Sequence, residues 1–328
     1  MEPQFVFDQS VNFETRMMRV FRHQYDNVRP YKLFCDELGA KPDSITAQNL
    51  PPLLPVEAFR DADICSSKID DSPLRFMSSG TTGMKRSTHY VYDPELYRKS
   101  IFDGIRQFYP LDEFVILAYT PGYIDNPNSS LIWMIQQLVE NDNTGLSRFL
   151  ELGEPVSPIA LDAIKASGKR ILLFGAAFGL IDLAERYPFT LPENTLIMET
   201  GGMKTHRREM SREELHTKLA RAFGLQESQV HSEYGMTELL SQAYSDGSGW
   251  FRCPHWMKIS IRNPHNPMEE VPQGDEGLIG IIDLANFYSC SFILTGDKGI
   301  MKPDGRFKVL GRYVPENLRG CNFLIDQD

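Results

Sequence analysis

No stretch of the 328-residue sequence stays apolar for the length of a bilayer span. The opening residues MEPQFVFDQS have neither the basic head nor the apolar stretch of a secretory leader, so a cytoplasmic protein is expected. Lys/Arg runs never exceed two or three residues, and 34 basic against 44 acidic residues leave a net charge of −10. A nucleic-acid binder needs a basic stripe, and that class is set aside. Cysteine is scarce and odd in number. Cys35, Cys65, Cys253, Cys290 and Cys321 are irregularly spaced, which argues against a disulfide framework. Cys253 and His255, in FRCPHW, form the one close metal-type pair. Two ligands without a second Cys-x-x-Cys do not make a zinc site, and the pair reads as loop residues. Internal repeats and low-complexity segments are also missing.

What is present is the composition of a large globular chain, 41% hydrophobic and 24% charged, enough for one large α/β domain or two smaller ones. Residues 12 to 38 carry an amphipathic helical pattern broken at Pro30. SITAQNLPPLLPVEAFR is a proline-punctuated connector that ends in a short helix. Asp93 is a natural N-cap, with Pro94 at the first helical position. From 111 to 235 the chain alternates: FVILAY, RILLFG and TLIMET have the pattern of strands, and SLIWMIQQLVE, PIALDAIKASG and FGLIDLAERY that of helices. This alternation predicts βαβ units and a largely parallel sheet. Ser211 and Glu214 fit a capping box, Met210 and Leu215 a hydrophobic staple, and Leu215, Leu219 and Phe223 one apolar face. After 250, WMKISIRNP, EGLIGIIDLA and GIMKPDGRFKVLG predict short strands, with a hairpin turn at Pro303-Asp304-Gly305. The expected organisation is an α/β core over 1–245, holding a phosphate loop and nucleotide site, then an antiparallel β-rich subdomain over 246–328.

Four stretches carry chemistry. MSSGTTGMKR, residues 77 to 86, packs small and hydroxyl residues ahead of Lys85 and Arg86. Backbone N–H groups of such a loop can wrap a phosphate, although the same composition also suits a mobile turn. The Gly-x4-Gly-Lys-Ser/Thr spacing of a Walker A loop and the Rossmann fingerprint are both absent. HSEYGMTE, 231 to 238, ends in a hydroxyl and a carboxylate, Thr237 and Glu238, that could meet Mg2+ and phosphate oxygens. LTGDKG, 294 to 299, places Asp297 at the expected end of a strand, where a carboxylate can accept both hydroxyls of a ribose. Gly311 and Arg312 close the hairpin.

In this order the four stretches resemble the adenylate-forming enzymes: acyl-CoA synthetases, peptide-synthetase adenylation domains and firefly-type luciferases. FRHQYDNVRPYKLF near the start and LRGCNF near the end are similar to segments of phenylacetate-CoA ligases. Those ligases continue into a small mobile C-terminal domain, which this sequence is expected to lack. With Cys321 near its end, the chain most resembles the LuxE acyl-protein synthetases. That resemblance covers nearly the whole chain. It implies an adenylate-forming large domain of mostly parallel sheets flanked by helices, with a small antiparallel β subdomain. It implies ATP and Mg2+, a fatty or other carboxylic acid substrate, and an acyl-protein reductase or acyl carrier as partner.

The resemblance also implies roles. Ser78, Ser79, Gly80, Thr81, Thr82 and Gly83 would hold the ATP phosphates, helped by Lys85 or Arg86. Gly201 and Gly202, in ETGGMK, would form the turn against adenine, and Tyr234, beside Gly235, would stack on the ring. Thr237 and Glu238 would bind phosphate and Mg2+, and Asp297 and Arg312 would grip the ribose. Cys321 would take the acyl group as a thioester, its thiolate favoured by Arg319, with Gly320 leaving room. Cys253 is the rival acceptor. The larger family draws a catalytic lysine from its C-terminal domain; here Lys204 or Arg86 would stand in. The hinge aspartate after Gly-Arg is absent, with Pro315 in that region. Phe174, Phe178, Leu180 and Trp133 are candidates for an acyl pocket, or equally for core. Alternative readings are an aryl- or acyl-CoA ligase of the phenylacetate type and a non-catalytic nucleotide- or acyl-binding module.

Overall fold

The computed structural model describes residues 2–46, 50–66, 71–78, 85–121, 126–152, 154, 156–187, 189–201 and 210–313. The chain opens with α1 (Phe13–Asn27) and α2 (Arg29–Glu37). The Asn12 side chain caps α1 by accepting from the Thr15 N–H, and Pro30 lies in the first turn of α2. A proline is tolerated there because no intrahelical N–H is needed, so the break falls at Val28 rather than at the proline. The proline-rich connector contains β1 (Leu54–Pro55) and ends in α3 (Ala58–Asp61). β2 (Leu74–Met77) and β3 (Thr88–Val91) form a separate two-stranded antiparallel ribbon. In α4 (Pro94–Arg106), Asp93 Oδ1 accepts from the Glu95 and Leu96 N–H groups at 3.0 Å, the expected cap.

The predicted alternation follows as β4 (Phe114–Tyr119), α5 (Ser130–Glu140), β5 (Arg148–Phe149), α6 (Pro158–Ala166), β6 (Arg170–Ala176), α7 (Ala177–Arg186), β7 (Leu196–Thr200), α8 (Arg212–Phe223) and β8 (Val230–Tyr234). These strands pair in parallel in the order β5-β4-β6-β7-β8. Ser211 caps α8 by accepting from the Glu214 N–H, and Gly224 ends it with φ of 70°, a left-handed stop suited to glycine.

The chain then turns antiparallel through β9 (Ala243–Ser245), β10 (Phe251–Arg252), β11 (Met257–Asn263), β12 (Asn266–Glu270), β13 (Gly277–Asp283), β14 (Phe292–Met301) and β15 (Phe307–Arg312). These strands continue the same sheet, in the order β12-β11-β13-β14-β15-β10-β9-β8, with β1 added in parallel to β14. The turn at Pro303-Asp304-Gly305 joins β14 to β15 and closes with Lys302 N–H to Arg306 O at 2.8 Å.

Two corrections follow. Asp297 lies inside β14, which runs on to Met301 past a register shift between Lys298 and Gly299; the glycines at 296 and 299 mask a continuous strand. Phe174 and Leu180 do not share a pocket. Phe174 packs on one face of the parallel block, on the side of α5 and Trp133, whereas Leu180 packs on the other face with Phe223 of α8. No described helix is long and apolar enough to cross a membrane.

Candidate active site

The C-terminal ends of parallel strands are where an open α/β sheet leaves a crevice, and β7 and β8 bring the candidate residues there. At the end of β8, Tyr234 is buried against Phe251 and Phe307, with ring centroids 5.9 and 5.7 Å away. Its hydroxyl donates to Asp297 Oδ2 at 2.9 Å. The other carboxylate oxygen lies 3.1 Å from Arg312 Nε, since Asp297 and Arg312 are cross-strand partners on β14 and β15. Burial and the neighbouring Asp297 push the Tyr234 phenol well above its ordinary range, so it stays a donor. A Cβ on Gly296 would lie 3.2 Å from Arg312 Nη1, so glycine keeps room for the guanidinium. Asp297 is held in turn by its N–H to Thr295 Oγ1 at 3.1 Å.

Gly201 follows β7 with φ of 83°, and a side chain there would face open space. The left-handed backbone, rather than crowding among the described residues, accounts for glycine at 201. Gly235 is glycine for room: a Cβ would fall 2.5 Å from Glu233 Oε1. Glu233 is buried, accepts from the Thr200 hydroxyl, and is pushed up to about 7, first by burial and further by the nearby Glu199 carboxylate. Glu199, on the other side of β7, pairs with Arg212 at 3.3 Å.

The Thr237–Glu238 turn is gripped by buried side chains. His89, on β3, places Nδ1 2.8 Å from the Thr237 carbonyl oxygen and Nε2 3.0 Å from Asn286 Oδ1. Asn286 Nδ2 donates to the carbonyls of Glu238 and Cys290, both at 2.8 Å. Asp283 accepts from the Leu240 N–H at 2.9 Å and from the Ser241 hydroxyl at 2.5 Å, and burial raises it to about 6. Thr237 is half-buried and Glu238 buried. A hydroxyl beside a carboxylate is a hard-oxygen donor set that suits Mg2+. Among the described residues no group of three or more His, Cys, Asp or Glu could hold a metal.

The phosphate-loop candidates emerge from the β2–β3 ribbon. Ser78 stands at its neck, where Ser78 N–H donates to Ser87 O at 3.1 Å and Ser87 N–H donates to Ser78 Oγ at 3.0 Å. Arg86 is exposed, and Lys85 Nζ lies 3.9 Å from Asp61 on the surface. Ser79, Gly80, Thr81, Thr82, Gly83, Gly202, Lys204 and Cys321 lie outside the described residues. The rival acceptor Cys253 is half-buried in the fold, and burial pushes its thiol far up, which disfavours the thiolate that acyl transfer needs.

Sequence reasoning assigned no role to His89, Asn286, Asp283 or Glu233. Glu233 offered one signal, a carboxylate inside the otherwise buried strand β8. The others are single polar residues whose partners lie far along the chain.

A family model described as acyl-protein synthetase, LuxE, matches residues 136–328. A long-chain-fatty-acid–luciferin-component ligase of Vibrio harveyi is 23% identical over 94% of this chain and 85% of its own length. The Aliivibrio fischeri protein of the same name is 22% identical over 96% of this chain and 88% of its own. Among solved structures, a 2-hydroxyisobutyryl-CoA ligase in complex with 2-HIB-AMP and CoA superimposes with a TM-score of 0.62 at 12% identity, covering 92% of this chain and 69% of that one. The ATP-bound MatB of Rhodopseudomonas palustris gives 0.53 at 17% identity over 75% of this chain and 49% of that one. The fold is that of the adenylate-forming ligases. With more than half of its length matched by the family model, the chain belongs to the LuxE acyl-protein synthetase family.

Proposed function

We propose that this protein activates a long-chain fatty acid with ATP and transfers the acyl group to a protein cysteine. The observation that carries the reading is the Tyr234–Asp297–Arg312 constellation standing beside the gripped Thr237–Glu238 turn. Family membership and the two curated ligases support it.

In the first step a carboxylate oxygen of the fatty acid attacks the α-phosphorus of ATP. The new P–O bond gives acyl-adenylate, and pyrophosphate leaves. In the second step a thiolate attacks the acyl carbon, a thioester forms, and AMP leaves. Asp297 accepts from the ribose hydroxyls while Arg312 and the Tyr234 hydroxyl hold its carboxylate in place. Tyr234 and the turn at Gly201 and Gly202 flank the adenine. Backbone and hydroxyl groups of Ser78 to Gly83 take the phosphates. Glu238 and Thr237 would hold Mg2+, which when bound would supply charge stabilisation at the phosphates without proton transfer. Lys204 or Arg86 supplies a cation at the developing charge, a contribution of about 3 kcal/mol for one such group. Cys321 is the acceptor from which a reductase would receive the acyl group, in a cytoplasmic setting.

The test is incubation with Mg-ATP and radiolabelled fatty acids without coenzyme A, followed by acid precipitation and neutral hydroxylamine. Label retained on the protein and released by hydroxylamine is the expected result, and Cys321→Ser abolishes it. Thioester label persisting in Cys321→Ser removes Cys321 as the acceptor. Pyrophosphate exchange without retained label assigns a different acceptor, and turnover requiring coenzyme A assigns a CoA ligase instead.

A further inference from the structure

Three stretches of the chain meet at one buried imidazole. His89 lies on β3, just beyond the phosphate-loop candidates, is fully buried, and packs edge-on against Phe59 at 5.7 Å. Its Nδ1 faces the Thr237 carbonyl and its Nε2 faces Asn286 Oδ1. The Asn286 amide cannot be turned around. Its Nδ2 already donates to the carbonyls of Glu238 and Cys290, and a flipped amide would set an oxygen against both. Both ring nitrogens therefore face acceptors. Burial drives the ring toward the neutral form, with its pKa lowered to about 4. A neutral ring carries one N–H and can donate to only one of the two; placed on Nδ1, that proton holds the Thr237 carbonyl, while Nε2 packs against Asn286 Oδ1 without donating to it.

We propose that His89, seconded by Asn286, is a positioning residue for the Thr237–Glu238 turn. The ring fixes the Thr237 carbonyl, Asn286 fixes the Glu238 carbonyl, and the two side chains of the turn are thereby aimed at the phosphates and their cation. The inference rests on the proposed function for what the turn binds. β3 pairs with β2, with Phe76 opposite His89, so the clamp rests on the ribbon whose two strands flank the phosphate-loop candidates in sequence. Movement of the ribbon would thus reach the carbonyl behind the candidate metal ligand through one side chain.

The chemistry of the ring suggests a matched pair of variants. In His89→Asn the amide nitrogen falls near the place of imidazole Nδ1 and keeps the donor to Thr237. In His89→Gln the longer amide reaches toward Asn286 and leaves the Thr237 carbonyl unheld. Affinity for an ATP analogue with a non-cleavable α,β bridge is measured by calorimetry with Mg2+ and with EDTA, beside fatty-acid affinity and thermal unfolding. The expected result is that His89→Gln loses about tenfold of the Mg2+-dependent gain in affinity, the scale of one hydrogen bond to a buried carbonyl. His89→Asn stays within about threefold of the unaltered protein, and fatty-acid binding moves in neither. The proposal is overturned if the two variants behave alike, whether in Mg2+-dependent affinity or in a shared loss of folding. It is also overturned if fatty-acid affinity falls in step with that of the nucleotide. If the unaltered protein gains nothing from Mg2+, it is the proposed function that fails, before the clamp is tested.

Discussion

Glu233→Gln separates the cost of burying a carboxyl from the hydrogen bond it makes. The side chain accepts from Thr200, and burial raises it from an ordinary 4.5 to about 7. Between these two values the folded protein binds more protons than the unfolded chain, so the contribution of Glu233 to stability falls as pH rises. It is greatest below about 4.5 and is lost as pH passes through 7. The difference between 4.5 and 7 corresponds to about 3 kcal/mol. Gln keeps an acceptor for Thr200 but never ionises. At pH 8 the variant should therefore be more stable than the parent by up to about 3 kcal/mol, or roughly 4 °C in Tm for a chain of this length. At pH 5 the gap should shrink to within about 1 kcal/mol, because Glu233 is then protonated in the folded protein and only the unfolded chain is partly ionised. Asp283, also raised, is present in both proteins and cancels from the difference. Thermal unfolding of both proteins across pH 5 to 8 measures this directly. A Tm difference independent of pH, or one that grows toward acid, refutes the assignment of a buried neutral carboxyl.

Gly235→Ala forces a methyl group to within 2.5 Å of Glu233 Oε1 and should cost about 1–3 kcal/mol by denaturant unfolding. In a Glu233→Ala background most of that cost should vanish, giving a coupling of about 1 kcal/mol or more in a double-mutant cycle. Asp297→Ala leaves the buried Tyr234 hydroxyl without its acceptor and should lower stability by about 1–3 kcal/mol, and raise the KM for ATP in pyrophosphate exchange. Arg312→Ala should raise that KM while leaving stability within about 0.5 kcal/mol, since the guanidinium is half exposed and its ion pair is solvent-screened. Asp93→Ala removes two N–H acceptors at the start of α4 and should cost about 1 kcal/mol in unfolding free energy without altering exchange kinetics.

The parallel block was legible because its cues are local. FVILAY, RILLFG and TLIMET are buried at nearly every position, and α4 and α8 announce themselves by their caps. β1 escaped because its prolines belong to a connector, and its short pairing depends on β14 more than 200 residues away. The extent of β14 escaped because glycines at 296 and 299 mimic a turn, whereas they make room for Arg312 and for Ile279. The site divides in the same way. The order of short motifs brought Tyr234, Asp297 and Arg312 into view, but the hydrogen bonds among them are products of the fold. His89 and Asn286 carry no motif, since their meaning lies in carbonyls that any sequence possesses.

The Tyr234–Asp297 bond also says something about the sheet. β14 stands four places from β8 in strand order, through β9, β10 and β15. At about 4.8 Å per step a flat sheet would separate them by roughly 19 Å, well beyond the reach of a tyrosine and an aspartate. Their side chains nevertheless meet at 2.9 Å. The sheet must therefore curl sharply where parallel pairing gives way to antiparallel. Two features permit this. β9 and β10 are only three and two residues long, so few ladder bonds resist bending. Phe251 and Phe307 fill the inside of the curl, their centroids 5.4 Å apart and each within 6 Å of Tyr234. The Tyr234–Asp297–Arg312 cluster is thus assembled by curvature that hydrophobic packing maintains. If this cluster holds the ribose as proposed, nucleotide affinity should follow the packing of these three rings as closely as it follows the charges of Asp297 and Arg312.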